Sequence, residues 1–317
     1  MNLNFRKKIK ILTDFRSNLK MFNLDKNKIQ EIKKKFKNIE FEFVDLNKMK
    51  KKYNADIYWG TRINDDIFKR CINLKWIHFG SVGIDKLDYD NTDLKKILVS
   101  NSKSINSDAV FNLISYFLID TSRKILKGKN LNNRITYEKI YKKCKDLSDQ
   151  KICVLGYGNI SKKLQRFSDL YKLDIKFLSR RNIKKIDVIN EREFLNNVKN
   201  YDTIINLLKF NSKNNNFLNK KIFDKMKKNI NLILVGRLKT IDLSSLSFFL
   251  KKNKNAMCYI DGILEEPEFN KIKNYKNIFI TPHIGGYFKN YWIKQISIFE
   301  VNLKLFLSKK KLKNLVN

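Results

Sequence analysis

The chain has 317 residues, enough for two ordinary domains, and 43% of them are hydrophobic, which excludes a disordered polymer because such polymers lack apolar surface to bury. The 67 basic residues exceed the 31 acidic ones and give a formal net charge of +36. No apolar segment reaches the length of a membrane span, and none near residue 1 is typical of a signal peptide, so we expect a cytoplasmic protein without membrane contact.

The first third of the chain alternates short apolar runs with polar or helix-period stretches. The runs cover residues 9–12, 41–46, 55–59, 75–79 and 97–100. Short runs rich in β-branched and aromatic residues, spaced in this way, are typical of a parallel sheet with helices on both faces.

A longer apolar run at 109–126 follows Ser107 and Asp108 and is closed by Gly128. A polar cap, this length and a glycine stop predict a buried helix. A closing segment places Ile296 and Phe299 at helical spacing, followed by Leu303 and Phe306, so it is expected to pack on a core. The lysine-rich tail after residue 307 is expected to be solvated.

The second block repeats the alternation and adds a glycine turn. Its strand-like runs cover residues 151–155, 174–178, 202–208, 231–235, 256–260 and 277–281. Six such strands suit a doubly wound dinucleotide-binding fold. The predicted fold class is α/β, with two Rossmann-like doubly wound parallel-sheet domains.

The basic composition also allows a nucleic-acid binder. Only eleven of the 67 basic residues are arginines, and the lysines run along the whole chain instead of clustering in one segment. Direct base readout and bidentate phosphate contacts favour arginine. We therefore attribute most of the charge to a compositional bias and expect no specific nucleic-acid partner.

Metal and disulfide chemistry are not expected either. The four cysteines, Cys71, Cys144, Cys153 and Cys258, show no CxxC spacing. No HExxH motif or Cys/His cluster is present. Buried thiols in a reducing compartment explain the cysteines better than disulfides do.

The glycine turn follows the first strand of the second block. Residues 151–155 run into Gly156-Tyr157-Gly158, and a helix is predicted from residue 162. Gly156 suits the tight turn, and Gly158 lets the backbone approach a pyrophosphate at the helix N-terminus. Ser161 stands where a third glycine is usual, so we expect slightly wider packing of helix against strand. The alternative is a purely structural turn.

The end of the next strand predicts which nucleotide binds. An NAD site usually carries an acidic residue there, whereas this chain has Ser179, Arg180 and Arg181. A hydroxyl and two guanidinium groups can bind a 2′-phosphate, so NADP is preferred over NAD. Two incidental surface arginines are the alternative.

Three side chains near the ends of later strand-like segments provide acid–base and anion-binding chemistry. They are Arg237, Glu266 and His283, and His283 is one of two histidines in the chain. This set can transfer a proton to a carbonyl oxygen while a hydride reaches its carbon. The other histidine, His78, lies inside an apolar run and is expected to be a hydrogen-bonded core or interface residue.

Several motifs carry a resemblance to the D-isomer-specific 2-hydroxyacid dehydrogenases over nearly the whole chain. The most specific is Thr-Pro-His-Ile-Gly-Gly at 281–286, and the interval from Arg237 to Glu266 also fits. The others are Gly-Ser-Val-Gly-Ile-Asp at 80–85, Val-Ser-Asn at 99–101 with residues 106–110, the glycine turn, Val-Gly-Arg at 235–237 with Ile241-Asp242, and Asp-Gly-Ile-Leu-Glu-Glu-Pro at 261–267.

The resemblance implies a flavodoxin-like substrate domain at residues 1–103, completed by a C-terminal helix at 287–317, and an NAD(P)-binding Rossmann domain at 104–286 that forms homodimers. The substrate is a small 2-oxo or 2-hydroxy acid. Catalytic roles fall on Arg237, Glu266 and His283. Substrate-binding residues are Ser81, Val82, Gly83 and Arg237. Cofactor-binding residues are Gly156, Gly158, Asn159, Ile160, Ser179, Arg180, Arg181, Leu208, Val235 and Asp261.

Four positions depart from the family pattern: Asn112, Ser161, Lys209 and Leu238. None of them removes a predicted catalytic group, but they bear on the cofactor loop and on substrate preference. They leave open a second hypothesis, a cofactor-sensing scaffold protein of the same fold with weakened turnover.

Overall fold

The computed structural model describes residues 8–15, 23–60, 65–81, 96–128, 140–185, 187–263 and 267–316. The chain divides into two compact units. Unit 1 comprises Met1–Ile105 and Lys289–Asn317, and unit 2 comprises Asn106–Phe288. Each unit is built on its own parallel sheet.

The described part of unit 1 contains a five-stranded sheet in the order β2-β1-β4-β6-β7, with every neighbouring pair parallel. This is the doubly wound order of flavodoxin-like sheets. The strands are β1 (Ile9–Thr13), β2 (Ile39–Phe43), β4 (Ile57–Gly60), β6 (Trp76–Phe79) and β7 (Leu98–Asn101), while β3 (Tyr53–Asn54) pairs separately with β5 (Cys71–Ile72). The helices are α1 (Lys26–Lys35), α2 (Asp65–Arg70) and α10 (Tyr291–Leu307).

Aromatic stacking between the sheet and α10 dominates one core cluster of unit 1. The Phe299 ring lies parallel to Trp59, with centroids 3.8 Å apart and planes 5° apart. It also stacks on Trp76 at 5.4 Å. All three side chains are fully buried, so α10 is anchored where its apolar face meets β4 and β6.

Replacing Phe299 with alanine should lower the free energy of unfolding of unit 1 by about 3–5 kcal/mol, because a buried aromatic ring is lost and a cavity remains. The three tryptophans, Trp59, Trp76 and Trp292, all lie in unit 1, so urea unfolding followed by tryptophan fluorescence reports on this unit. Phe248→Ala is the matched control, since that ring is 60% exposed in unit 2. Equal midpoints for Phe299→Ala and the unmutated protein would contradict the assigned packing.

The C-terminal segment differs from its prediction in two ways. The helix spans Tyr291–Leu307, not 287–317, and Lys309 follows it in the left-handed backbone region with φ 53°. The tail is not wholly solvated: Leu312 is 4% exposed, and the Val316 N–H donates to the Val99 carbonyl at 2.9 Å. The buried Asn302 accepts a bond from the Lys313 N–H at 2.7 Å, which ties the tail back to the helix.

The described part of unit 2 contains a seven-stranded parallel sheet in the order β10-β9-β8-β11-β12-β13-β14. Its strands are β8 (Lys151–Leu155), β9 (Asp174–Leu178), β10 (Val188–Ile189), β11 (Thr203–Asn206), β12 (Asn231–Leu234), β13 (Met257–Asp261) and β14 (Ile278–Thr281). Its helices are α3 (Ser107–Arg123), α4 (Ile125–Gly128), α5 (Asn159–Tyr171), α6 (Glu191–Asn197), α7 (Lys220–Phe223), α8 (Leu243–Lys252) and α9 (Glu268–Ile272). The strand order is that of a Rossmann sheet and confirms the predicted fold class.

The predicted helix at 109–126 is divided in two. Its cap is Asn106 and its first residue is Ser107, so the prediction of Ser107 and Asp108 as preceding residues was wrong. The helix ends at Arg123 because Lys124 adopts φ 55°, and its N–H bonds the Asp120 carbonyl. The Asp120 side chain then accepts the Leu126 N–H at 2.7 Å, which starts α4.

The described residues contain no helix that combines the length and apolar character needed to cross a membrane.

Candidate functional site

The candidate residues of unit 2 lie along the carboxyl edge of its sheet. The strands are parallel and in register, so Leu155 pairs with Leu178 and with Asn206, and Asp261 pairs with Thr281. The segments that follow these strand ends therefore share one edge. They carry the glycine turn after β8, Ser179 after β9, Leu208 after β11, Arg237 after β12, Asp261 at the end of β13 and His283 after β14. Ligands of doubly wound folds bind at this edge.

The glycine turn has the backbone geometry that a pyrophosphate site needs. Gly156 has φ +105°, which residues with a Cβ rarely adopt, and its N–H donates to the Leu178 carbonyl at 3.0 Å. Gly158 is the N-cap of the 13-residue helix α5, and no side chain caps it. A Cβ built on Gly158 would meet nothing within 4 Å, so a ligand can approach the backbone there.

Ser161, in the place of the usual third glycine, is used within the turn. Its side chain is buried, and its hydroxyl donates to the Gly156 carbonyl at 2.6 Å. The hydroxyl thus secures the tight turn from the first turn of α5. No sequence signal predicts this hydrogen bond.

The two arginines after β9 have different environments. The Arg180 guanidinium is 44% exposed as a side chain and pairs with Glu191 at 3.1 Å. Arg181 instead directs a guanidinium nitrogen to the Tyr157 carbonyl within the glycine turn. The Ser179 hydroxyl accepts the Arg181 N–H at 3.1 Å and is mostly buried. The Arg180 guanidinium also donates to the Lys213 carbonyl at 3.2 Å, and both arginines are exposed.

Arg237 is fixed through its backbone. Its N–H donates to the Leu208 carbonyl at 3.2 Å, and its carbonyl accepts the Thr240 N–H at 3.0 Å and the Thr240 hydroxyl at 2.6 Å. Gly236 precedes it, and a Cβ there would lie 2.9 Å from the Leu208 carbonyl oxygen. Val235 and Leu208 are both half-buried beside this segment.

His283 sits on an exposed turn in an unusual backbone conformation. Its φ is +55°, in the left-handed region that residues other than glycine seldom adopt, and its N–H donates to the Thr281 carbonyl at 2.8 Å. Such conformations persist only where the surroundings impose them.

Asp261 imposes the shape of that turn. One carboxylate oxygen accepts the Thr281 hydroxyl at 2.7 Å and the Ile284 N–H at 2.8 Å, and the other accepts the Gly285 N–H at 2.9 Å. A Cβ on Gly285 would approach the Asp261 carboxylate to 2.6 Å, so glycine is required. Sequence reasoning named Asp261 only as a cofactor contact and missed this bracing.

The described candidate of unit 1 is Ser81, which is separated from the end of β6 by Gly80. Its carbonyl accepts the Ser102 N–H at 3.3 Å. The neighbouring Gly80 carbonyl accepts the Tyr291 hydroxyl at 2.8 Å and the Gln295 side-chain amide. The C-terminal helix of this unit therefore holds the start of the predicted substrate loop.

Three candidates, Val82, Gly83 and Glu266, lie outside the described residues. In the described parts of the chain, no cluster of three or more His, Cys, Asp or Glu side chains could hold a metal ion.

His78 is a core residue, as predicted. It is fully buried, with Nδ1 2.8 Å from the Ser100 hydroxyl and Nε2 3.3 Å from the Ser102 hydroxyl. Burial lowers its pKa to about 3, so the ring is neutral at physiological pH. It is therefore unsuited to donate a proton to a substrate.

Comparison with known proteins identifies a matching family and several similar proteins. The profile described as "D-isomer specific 2-hydroxyacid dehydrogenase, NAD binding domain" matches residues 116–285. The chain is 23% identical over 236 residues to a glyoxylate reductase of Pyrococcus horikoshii, covering 71% of each chain.

Solved structures share the fold. An acyclic imino acid reductase in complex with NADPH and D-Arg aligns with a TM-score of 0.80 and 22% identity, covering 98% of this chain and 100% of that one. An NADPH-dependent glyoxylate/hydroxypyruvate reductase from Sinorhizobium meliloti, in complex with NADP and malonate, has a TM-score of 0.77 and 16% identity, covering 98% and 97%.

Proposed function

Because the chain belongs to the D-isomer specific 2-hydroxyacid dehydrogenase family, we propose that it reduces a small 2-oxo acid to the D-2-hydroxy acid with a nicotinamide dinucleotide. The observation that carries the proposal is the shared carboxyl edge of unit 2, where Arg237, His283 and the glycine turn follow neighbouring parts of one sheet. Glyoxylate and hydroxypyruvate are the first substrates to test.

The chain's own groups match the charge changes of this reaction. The bound dinucleotide supplies the hydride. His283 in its imidazolium form donates a proton to the oxygen on which negative charge develops, and its exposed turn gives the ring access to ligand. Arg237 binds the substrate carboxylate and polarises the carbonyl through two parallel N–H donors.

We propose that Glu266 orients the His283 ring. In unit 1, the backbone amides of Ser81, Val82 and Gly83 are proposed to bind a carboxylate. The backbone amides of Gly158, Asn159 and Ile160, at the start of α5, would hold the pyrophosphate of the dinucleotide.

The direct test is a panel of 2-oxo acids assayed with NADPH and with NADH. We expect oxidation of at least one cofactor with glyoxylate or hydroxypyruvate. A protein that binds the dinucleotide but turns over no member of the panel would support the alternative, a cofactor-sensing scaffold.

We propose that NADPH is preferred over NADH. Arg180 follows β9, where a carboxylate would otherwise face the ribose, and its guanidinium is held by a surface ion pair with Glu191. Exposed ion pairs contribute little, so the 2′-phosphate can replace Glu191 as the partner.

Arg180→Ala should weaken NADPH binding about tenfold while leaving NADH binding nearly unchanged, because a charge-assisted contact to the 2′-phosphate is lost. Glu191→Gln should instead strengthen NADPH binding, since it removes the carboxylate that competes with the 2′-phosphate for Arg180. Arg192→Ala removes the same charge from an exposed position on α6 and serves as control. Dissociation constants follow from NADPH and NADH fluorescence titrations at two salt concentrations. Equal affinities of the unmutated protein for the two nucleotides would refute the preference.

We also propose a homodimer formed through unit 2. Helices α3 and α5 pack together through Phe111 and Phe167, with ring centroids 5.8 Å apart. Large apolar side chains on these helices are exposed: Tyr116 by 40%, Ile119 by 42%, Leu170 by 78% and Tyr171 by 54%. Monomers seldom expose such surface, so a second copy is the proposed cover, and light scattering should give twice the chain mass of 37.8 kDa.

A cytoplasmic location remains our proposal as well. All four cysteines are free, and Cys71, Cys153 and Cys258 are buried. Free thiols are typical of a reducing compartment. Fractionation of the source cells with an antibody would test the location.

A further inference from the structure

Two buried polar side chains take part in hydrogen bonds that hold the backbone of Arg237. Asn206 ends β11, and Thr240 follows Arg237 by three residues. Both are fully buried at the carboxyl edge of the sheet, where the neighbouring strand interiors are apolar. Buried polar groups are costly unless they are hydrogen-bonded, so their partners indicate what they hold in place.

Their hydrogen bonds form a closed ring with Arg237 and Leu208. The Asn206 side-chain amide donates to the Thr240 hydroxyl at 2.9 Å, and that hydroxyl donates to the Arg237 carbonyl at 2.6 Å. The Arg237 N–H donates to the Leu208 carbonyl at 3.2 Å, and the Leu208 N–H returns to the Asn206 side-chain oxygen at 3.1 Å.

Close packing makes this ring stiff. A Cβ on Gly236 would lie 2.9 Å from the Leu208 carbonyl oxygen and 3.0 Å from that of Asn206, so the two backbone segments are in direct contact. The ring therefore fixes Arg237 relative to residues 206–208 without touching its guanidinium. Fixed backbone geometry limits the positions that the guanidinium can reach.

We propose that Asn206 and Thr240 are positioning residues that set the substrate affinity of Arg237. The proposal rests on the proposed function, in which Arg237 binds the 2-oxo acid carboxylate. The ring has two parts, which we call arms. In the Thr240 arm, the Thr240 hydroxyl bonds the Arg237 carbonyl. In the Asn206 arm, the Asn206 side-chain oxygen bonds the N–H of Leu208, a proposed cofactor-binding residue.

The test compares Thr240→Val, Thr240→Ser and Thr203→Val. Valine keeps the size of threonine but removes the hydroxyl, and serine restores it. Thr203 is an equally buried threonine at the amino end of β11, where its hydroxyl bonds Gln150 at 2.8 Å. Thr203→Val therefore makes the same chemical change in the same unit, away from Arg237.

We expect Thr240→Val to raise KM for the 2-oxo acid about tenfold, through loss of one hydrogen bond and displacement of a substrate-binding group. The dissociation constant for NADPH should change less than twofold. Thr240→Ser should restore the KM of the unmutated enzyme. Thr203→Val should leave KM unchanged, even if this variant loses as much thermal stability as Thr240→Val does. Asn206→Leu removes both arms and should weaken the 2-oxo acid and NADPH together.

A second measurement does not depend on turnover. Hydrogen–deuterium exchange of peptides spanning residues 232–243 should rise in Thr240→Val and not in Thr240→Ser. Unchanged KM and exchange in Thr240→Val, with an active unmutated enzyme, would overturn the positioning role alone. An unmutated protein that neither reduces any 2-oxo acid nor binds oxamate in the presence of NADPH would overturn the proposed function, and this role with it.

Discussion

His283→Ala should lower kcat for 2-oxo acid reduction by about 10²–10⁴, the usual range for the loss of a general acid. The reason is specific to this chain: the other histidine, His78, is buried and neutral, so it cannot substitute. Steady-state kinetics with saturating NADPH measure the loss.

The control for His283→Ala tests whether the turn that carries residue 283 keeps its conformation. Asp261 binds the turn through the Thr281 hydroxyl and two backbone N–H groups, none of which belongs to the His283 side chain. The variant should therefore keep its NADPH affinity, and added imidazole should restore part of the rate. A loss below about tenfold would remove His283 from the mechanism.

Arg237→Ala should lower kcat/KM for the 2-oxo acid by about 10²–10⁴. Two charge-assisted hydrogen bonds are removed, each contributing about 1.5–3 kcal/mol. Arg237→Lys keeps the charge but loses the planar pair of donors, so its kcat/KM should lie between those of the alanine variant and the unmutated enzyme.

Arg237→Ala keeps the backbone contacts to Leu208 and Thr240, so NADPH binding and thermal stability should be nearly unchanged. Fluorescence titration and thermal unfolding check both. An alanine variant with the kcat/KM of the unmutated enzyme would show that another cation binds the substrate carboxylate.

Local sequence signals are enough to predict the fold class. Alternation of apolar strands with helical segments, and a glycine turn directly after the strand at 151–155, are local signals with a direct physical cause. The strands β8 and β9 begin and end where predicted. The resemblance identified the family, which the match over residues 116–285 confirms.

Sequence patterns failed where individual hydrogen bonds and tertiary packing decide the structure. Lys124 ends α3 in a left-handed conformation although the apolar run continues, because the Asp120 carboxylate starts α4 through the Leu126 N–H. The C-terminal tail packs on unit 1 through Leu312 and the Val316 bond to Val99, despite its lysines. Neither interaction has a periodicity that the sequence could display.

In the candidate site, sequence patterns predict some residues and not others. Side-chain chemistry and spacing predict Arg237, His283 and Arg180. Only the tertiary structure showed that Asp261 braces the His283 turn, that Ser161 bonds the Gly156 carbonyl, and that Asn206 and Thr240 hold Arg237. Groups that perform chemistry are marked by residue type. The groups that position them act through particular hydrogen bonds, some within a turn and some between segments far apart in the sequence, which exist only once the fold has formed.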